Sequence, residues 1–193
     1  MTTIVAVKKN GVVAIAADTL TTFGNTRLHA SQDGSYDKIL HIGGNYIGVC
    51  GSAAHHLVLT SLLSKIPDLQ LGSKAAIFET FRKLHPALKE ECFLNPKEDE
   101  EDPYESSQIT ALIANSSGIY GIYSMREVFE YTQFWAIGSG HEFSLGAMQF
   151  AYSHYDSAEE IARAGVEAGI AYDKNSSSPI TLYCTTLNRQ TNI

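Results

Sequence analysis

The chain has 193 residues, 44% hydrophobic and 18% charged, with a net charge of −7. That composition suits one compact domain with a sizeable core; the acidic balance argues against a nucleic-acid surface, and no apolar run approaches the roughly 20 residues of a membrane span. Lys8, Lys9, Asn10 and Gly11 break the first apolar run too early for a signal peptide, and the odd, widely spaced cysteines Cys50, Cys92 and Cys184, without paired metal-type spacing, fit a reducing cytoplasm.

An apolar, β-branched run starts almost at the first codon. Residues 3–9 and 12–18 are predicted strands joined at Asn10-Gly11, a strong hairpin signal. Both are nearly continuously apolar, which implies burial on both faces, and the second ends in Asp18. Residues 19–37 read as a long polar connection with some strand character. A second hairpin runs from Lys38 to Ile42, through Gly43-Gly44-Asn45, and back from Tyr46 to Gly51. Ser52 is placed to cap a helix to about residue 65 with Leu57, Val58, Leu62 and Leu63 on its apolar stripe. Ser73 opens another with Ile77, Phe81, Leu84 and Leu88 at helical spacing, and Pro86 is expected to kink or split it.

An acidic segment follows, with Glu98, Asp99, Glu100, Glu101, Asp102 and Glu105; such a run reads as a solvated stretch or a docking surface. Four short strands are then predicted over 108–115, 118–123, 127–132 and 134–137. Gly138-Ser139-Gly140 opens a helix over about 141–153. Ser157-Ala158-Glu159-Glu160 is a capping box for a further helix to about Tyr172, whose repeated small residues (Ala158, Ala162, Gly165, Ala168, Gly169) mark it as a candidate contact between copies of the chain. The last strand is expected over 180–187. Helix pairs between runs of antiparallel strands are not the alternation of a doubly wound sheet. The economical packing is two sheets face to face with a helix pair outside each. The fold class expected is therefore α+β, a four-layer αββα sandwich forming a single domain over 1–193.

Several familiar catalytic patterns are absent: no G-x-S-x-G elbow, no Walker A pattern, no H-E-x-x-H. His55 and His56 are adjacent and point to different sides of a helix, and Cys50 sits inside a strand pattern, where a small core residue is the plainer reading. What remains is a set of polar residues at the ends of apolar elements. Thr2 carries a hydroxyl and, once Met1 is removed, a free α-amine of near-neutral intrinsic pKa, a known nucleophile pairing. The Asn10-Gly11 turn sets residues near 3 opposite residues near 18, so Asp18 lies beside Thr2 by register alone. A lysine at the same end, Lys38, would find Asp18 as its counter-ion and favour the deprotonated forms of Thr2. On spacing alone, a structural salt bridge at a sheet end explains these two charges equally well.

Thr2-Thr3-Ile4-Val5-Ala6-Val7, Ala16-Ala17-Asp18, Gly24-Asn25-Thr26, Lys38, Gly48-Val49-Cys50-Gly51, Ile137-Gly138-Ser139-Gly140 and Asp173-Lys174-Asn175-Ser176 together resemble β-type proteasome subunits. The flavour is bacterial, similar to HslV-type proteases and bacterial proteasome homologues. The resemblance implies the same αββα fold and an N-terminal nucleophile threonine peptidase. Thr2 would be the nucleophile with its amine as general base, Asp18 and Lys38 would tune it, and the Gly48 N–H would be the oxyanion donor. Ser139, Asp173 and Ser176 would hold the amine. The pocket set would be Thr21, Tyr46 and Cys50, with the Tyr46 ring narrowing it toward small side chains. Backbone carbonyls of Ile170, Asp173 and Ser176 would be the site for a structural Na+ or Mg2+, with no cofactor required.

Only Met1 precedes Thr2, so aminopeptidase action is expected to suffice without a propeptide. The resemblance further implies stacked homo-oligomeric rings enclosing a chamber, unfolded polypeptides as substrates, an ATPase unfoldase as partner, and a cytoplasmic location. Two other readings stand beside it: an N-terminal nucleophile amidohydrolase acting on a small amide, and a ring scaffold that is catalytically silent.

Overall fold

The computed structural model describes residues 2–96, 100–102, 104–124 and 127–188. Strands β1 (Ile4–Lys9) and β2 (Val12–Asp18) form the expected hairpin. Asn10 and Gly11 at its turn have φ of 50° and 77°, the pair of left-handed residues that a two-residue hairpin loop needs. The register runs from Ile4 opposite Ala17 to Lys9 opposite Val12. Ile4, Ala6, Ile15 and Ala17 are fully buried, facing the second sheet. Each buried isoleucine contributes about 1.5–3 kcal/mol, and a slip of one residue would turn all of them outward. The packing that locks this register also holds Asp18 at the start of β1.

The chain continues through a small ribbon, β3 (Thr21–Phe23) and β4 (Thr26–Leu28), within the predicted long connection. Strands β5 (Ile39–Ile42), β6 (Asn45–Cys50), β7 (Thr110–Asn115), β8 (Gly118–Ile122) and β9 (Val128–Tyr131) make an antiparallel sheet in that order. Strand β10 (Phe134–Ile137) leaves this series and pairs with β1, Ile4 opposite Ile137; β11 (Ile180–Thr186) pairs with β2. The first sheet is thus β10-β1-β2-β11. Helices α1 (Ala53–Leu63) and α2 (Lys74–Pro86) cover the outer face of the five-stranded sheet, and α3 (His141–His154) and α4 (Ala158–Tyr172) cover the outer face of the other. The four layers match the expectation. Among the described residues no helix is long and apolar enough to cross a membrane.

Pro86 does interrupt its helix. The chain continues as a π-helical segment over Ala87–Glu91, where the Cys92 N–H reaches back five residues to the Ala87 carbonyl at 3.0 Å. Two expectations about helix faces need correction. In α1 the buried residues are Leu59, Leu62 and Leu63, while Leu57 is 73% exposed. In α4 the small-residue stripe is not an outward surface. Ala158 and Ala162 lie in the core with Val5, Val7, Ala14 and Ala16. A Cβ on Gly165 would come within 2.8 Å of Met148, and one on Gly169 within 2.5 Å of Thr3. The stripe lets α4 settle onto its own sheet and onto α3. Of the acidic segment, Glu98 and Asp99 lie outside the described residues, and Glu105 pairs with Lys89 at 2.7 Å.

Candidate active site

At the open end of the β1–β2 hairpin, the Asp18 side chain is wholly buried and collects five hydrogen bonds. Its Oδ1 accepts from the Thr2 hydroxyl at 2.7 Å, the Thr3 N–H at 2.9 Å and Lys38 Nζ at 2.7 Å. Its Oδ2 accepts from the Leu20 and Ser177 N–H groups at 3.0 and 3.1 Å. A buried carboxylate is tolerated only when paired and hydrogen-bonded, and here both conditions hold. Lys38 enters from the start of β5, where its carbonyl accepts the Val49 N–H at 3.2 Å. Burial pulls the Lys38 pKa below its ordinary 10.5, against the opposing pull of Asp18. The Thr2 hydroxyl and the Lys38 ammonium therefore share one oxygen.

A second chain of bonds holds the backbone of Thr2. Its nitrogen donates to Ser139 Oγ at 3.2 Å, Ser139 Oγ donates to Asp173 Oδ2 at 2.6 Å, and Ser176 Oγ donates to the same oxygen at 2.8 Å. Thr3 Oγ1 closes the loop at 2.7 Å from Ser176 Oγ. Burial pushes the Asp173 pKa up, but the bonds from Ser139, Ser176 and Asn175 together outweigh it, and the carboxyl is held below its ordinary 3.8. Ser139 arrives because β10 pairs with β1, and Asp173 because α4 ends beside the same strand.

Three glycines make room for this. A Cβ on Gly138, whose φ is 91°, would lie 2.1 Å from the Thr2 carbonyl oxygen, and one on Gly140 would lie 2.0 Å from Thr3 Oγ1. The Gly140 N–H donates to that same Thr2 carbonyl at 3.3 Å. Gly169, Gly138 and Gly140 thus seat the N-terminal segment, and Thr3 ties the two carboxylate systems together. Sequence reasoning assigned none of these roles, although the Gly-Ser-Gly spacing carried the signal.

Thr2 lines a cleft of about 680 Å³, together with Thr21, Val49, Cys50, Gly51, Ala53 and the side chain of Leu57 among others. Thr21 and Cys50, two of the three residues expected in the pocket, thus line the same space as Thr2. Burial pushes the Cys50 thiol up to about 11, so it is no thiolate at neutral pH. Tyr46 is not in the cleft. It faces the other sheet four residues back along β6, about 13 Å away at strand spacing, stacked between His41 and Tyr183 at 4.5 and 5.1 Å. No ring narrows the cleft from that position.

Gly48 is also elsewhere. It sits inside the sheet, opposite Ile39 on one side and Leu112 on the other, and a Cβ there would strike Ile4 at 2.6 Å. Gly48 is a packing glycine. The glycine at the cleft is Gly51, with φ of 104°, just before the Ser52 cap of α1. At the end of α4, the Asp173 carbonyl accepts the Ser176 N–H at 3.0 Å. The Ser176 N–H thereby closes a tight turn among the residues expected to offer backbone carbonyls to a cation, Ile170, Asp173 and Ser176.

The chain is similar to known proteins in sequence and in fold. A family model described as proteasome subunit matches residues 1–73. BPH of Thiobacillus denitrificans is 38% identical, with a TM-score of 0.90 over 97% of this chain and 99% of that one. The same protein in complex with epoxomicin is 37% identical, with a TM-score of 0.89 over 96% of this chain and 99% of that one. A eukaryotic HslV from Trypanosoma brucei shares the fold at 21% identity, with a TM-score of 0.71 over 95% of this chain and 99% of its own.

Proposed function

This chain belongs to the β-type proteasome subunit family, and from that premise we propose that it is an N-terminal threonine peptidase with Thr2 as nucleophile. The observation that carries the reading is the separate holding of the two reactive atoms of Thr2, its hydroxyl by Asp18 and its nitrogen by Ser139. A residue with a merely structural role needs neither.

Removal of Met1, which lies outside the described residues, frees the nitrogen of Thr2 as an amine. The Thr2 Oγ then bonds to the substrate carbonyl carbon while its proton passes to that amine. The amine gives the proton to the leaving nitrogen as the C–N bond breaks, leaving an ester on Thr2. Water, losing a proton to the amine, attacks the ester, and the proton returns to Oγ as the acid departs. Lys38, neighbouring Oγ through Asp18 Oδ1, supplies positive potential that favours these proton transfers. The oxyanion role falls to the Gly51 N–H at the N-terminus of α1, where backbone donors and the helix dipole favour negative charge; the cleft position and φ of Gly51 support it.

The peptidase works as stacked homo-oligomeric rings in the cytoplasm, degrading unfolded polypeptides delivered by an ATPase unfoldase. Similarity to proteasome subunits supports this assembly. Peptide hydrolysis by purified, Met1-free protein tests the reading. Thr2→Ala is expected to lower kcat by about 10³-fold or more while the chain still folds, with a modest loss of stability from the missing bond to Asp18; a variant that retained activity would end it.

A further inference from the structure

We propose that the Thr2 cleft selects a cationic side chain, lysine or arginine, on the residue whose carbonyl is attacked. This names the substrate class of the site described above and rests on its being a peptidase.

The cleft has two kinds of wall. Val49, Ala53 and Leu57 make an apolar lining, and the Asp33 and Asp37 carboxylates line the same space. Among the described residues neither aspartate forms an ion pair. Their oxygens are held by neutral donors: Ser35 N–H at 2.9 Å and the Thr21 hydroxyl at 3.2 Å for Asp33, Ile39 N–H at 2.9 Å and the Tyr183 hydroxyl at 2.5 Å for Asp37. Those donors fix the carboxylates in place without cancelling their charge.

The other titratable groups of the cleft do not cancel it either. Lys38 is committed to Asp18. His56 lines the cleft with its Nε2 buried and unpartnered, and burial lowers its pKa below the ordinary 6.5 although Asp37 pulls the other way. The imidazole is therefore neutral at neutral pH, and with the Thr2 nitrogen held at Ser139, neither carboxylate has an ion-pair partner among the described residues.

Lysine and arginine match both walls, because a long aliphatic stem lies along apolar surface while the cationic head reaches further. A leucine or phenylalanine would cover the carboxylates with apolar surface and leave them desolvated and unpaired. A glutamate would meet like charge. Discrimination comes as much from what the carboxylates reject as from what they attract.

The test is a panel of tripeptide fluorogenic substrates differing only at the cleaved residue (Arg, Lys, Leu, Phe, Ala, Glu), assayed with the assembled, Met1-free protein. The expected result is a kcat/KM for Arg and Lys at least tenfold above that for Leu and Phe, with Glu lowest. In Asp33→Asn and in the Asp33→Asn, Asp37→Asn double variant, the Arg-to-Leu ratio should fall tenfold or more. Turnover that favours Leu, Phe or Ala in the wild type overturns the inference while leaving the peptidase reading intact, and so does an unchanged ratio in a folded variant. Absence of turnover on every peptide counts against the peptidase reading itself, and the inference falls with it. The wild-type panel decides the matter even if the double variant, in which Asp37→Asn leaves one oxygen where two accept from Ile39 and Tyr183, fails to fold.

Discussion

The layer formed by α3 and α4 meets its sheet mostly through alanines (Ala14, Ala16, Ala136, Ala158, Ala162) and the valines Val5, Val7 and Val166, with Met148 and Ile161 as the bulkier members, whereas α1 and α2 meet theirs through Leu59, Leu63, Ile77, Phe81 and Leu88. Small residues on the first side bring helix backbone so close to β1 that Gly169 has no room for a methyl group beside Thr3. That approach carries Ser139 and Asp173 to hydrogen-bond distance of the N-terminal segment. Large residues on the second side fill volume and hold the sandwich together, and no residue of α2 reaches the Thr2 cleft. Where chemistry depends on tenths of an ångström, the chain uses residues with little side chain to rearrange; where only burial is needed, it uses bulk.

The largest effect expected of this contrast is at the junction of the layers. Asp18→Asn leaves Lys38 without its counter-ion, which should cost about 3–5 kcal/mol of stability and lower kcat by about 10³-fold; denaturant titration and peptide hydrolysis measure the two. Phe81→Ala, on the bulk side, should cost a similar 3–5 kcal/mol through the cavity it leaves, yet turnover per folded molecule should stay within about twofold of wild type. A large kcat loss there would erase the distinction between the layers. Gly169→Ala, on the close side, should show the opposite pattern: about 1–3 kcal/mol of overpacking, with a loss of kcat larger than the loss of folded protein explains.

The smallest effect is a pH dependence. Asp173 is held below its ordinary 3.8, so its bonds stabilise the folded chain fully above that value and are lost as pH falls through the lower, folded value. The melting-temperature difference between wild type and Asp173→Asn should therefore be constant at neutral pH and shrink below about pH 4. A difference that is flat to pH 2 would mean that Asp173 is not the hub of the Ser139 and Ser176 bonds.

Much of this was legible in the sequence, for local reasons. Asn10-Gly11 fixes a two-residue turn, and the apolar strands fix the register, so Asp18 beside Thr2 follows from spacing. Ser139 and Asp173 do not follow from spacing, because β10 leaves one sheet for the other and α4 must pack before either side chain approaches Thr2. They were visible only through resemblance to a family. Gly48 misled because a strand glycine reads as open backbone, whereas here it clears Ile4, and the left-handed glycine that lines the cleft is three residues on. Tyr46 misled because the resemblance set the pocket four residues too early along β6, a distance of about 13 Å at strand spacing. The small residues of α4 read as a contact between molecules when they serve a contact within one.

The central claim is that Thr2 is a nucleophile with a free amine, and epoxomicin, which BPH binds, probes it most directly. Intact-mass and peptide-mapping spectrometry of treated protein should show one adduct per chain, located on Thr2, in the fraction lacking Met1, with none in the fraction retaining Met1 and none in Thr2→Ala. A Met1-free sample that takes up no epoxomicin, or takes it up at any other residue, would contradict the account.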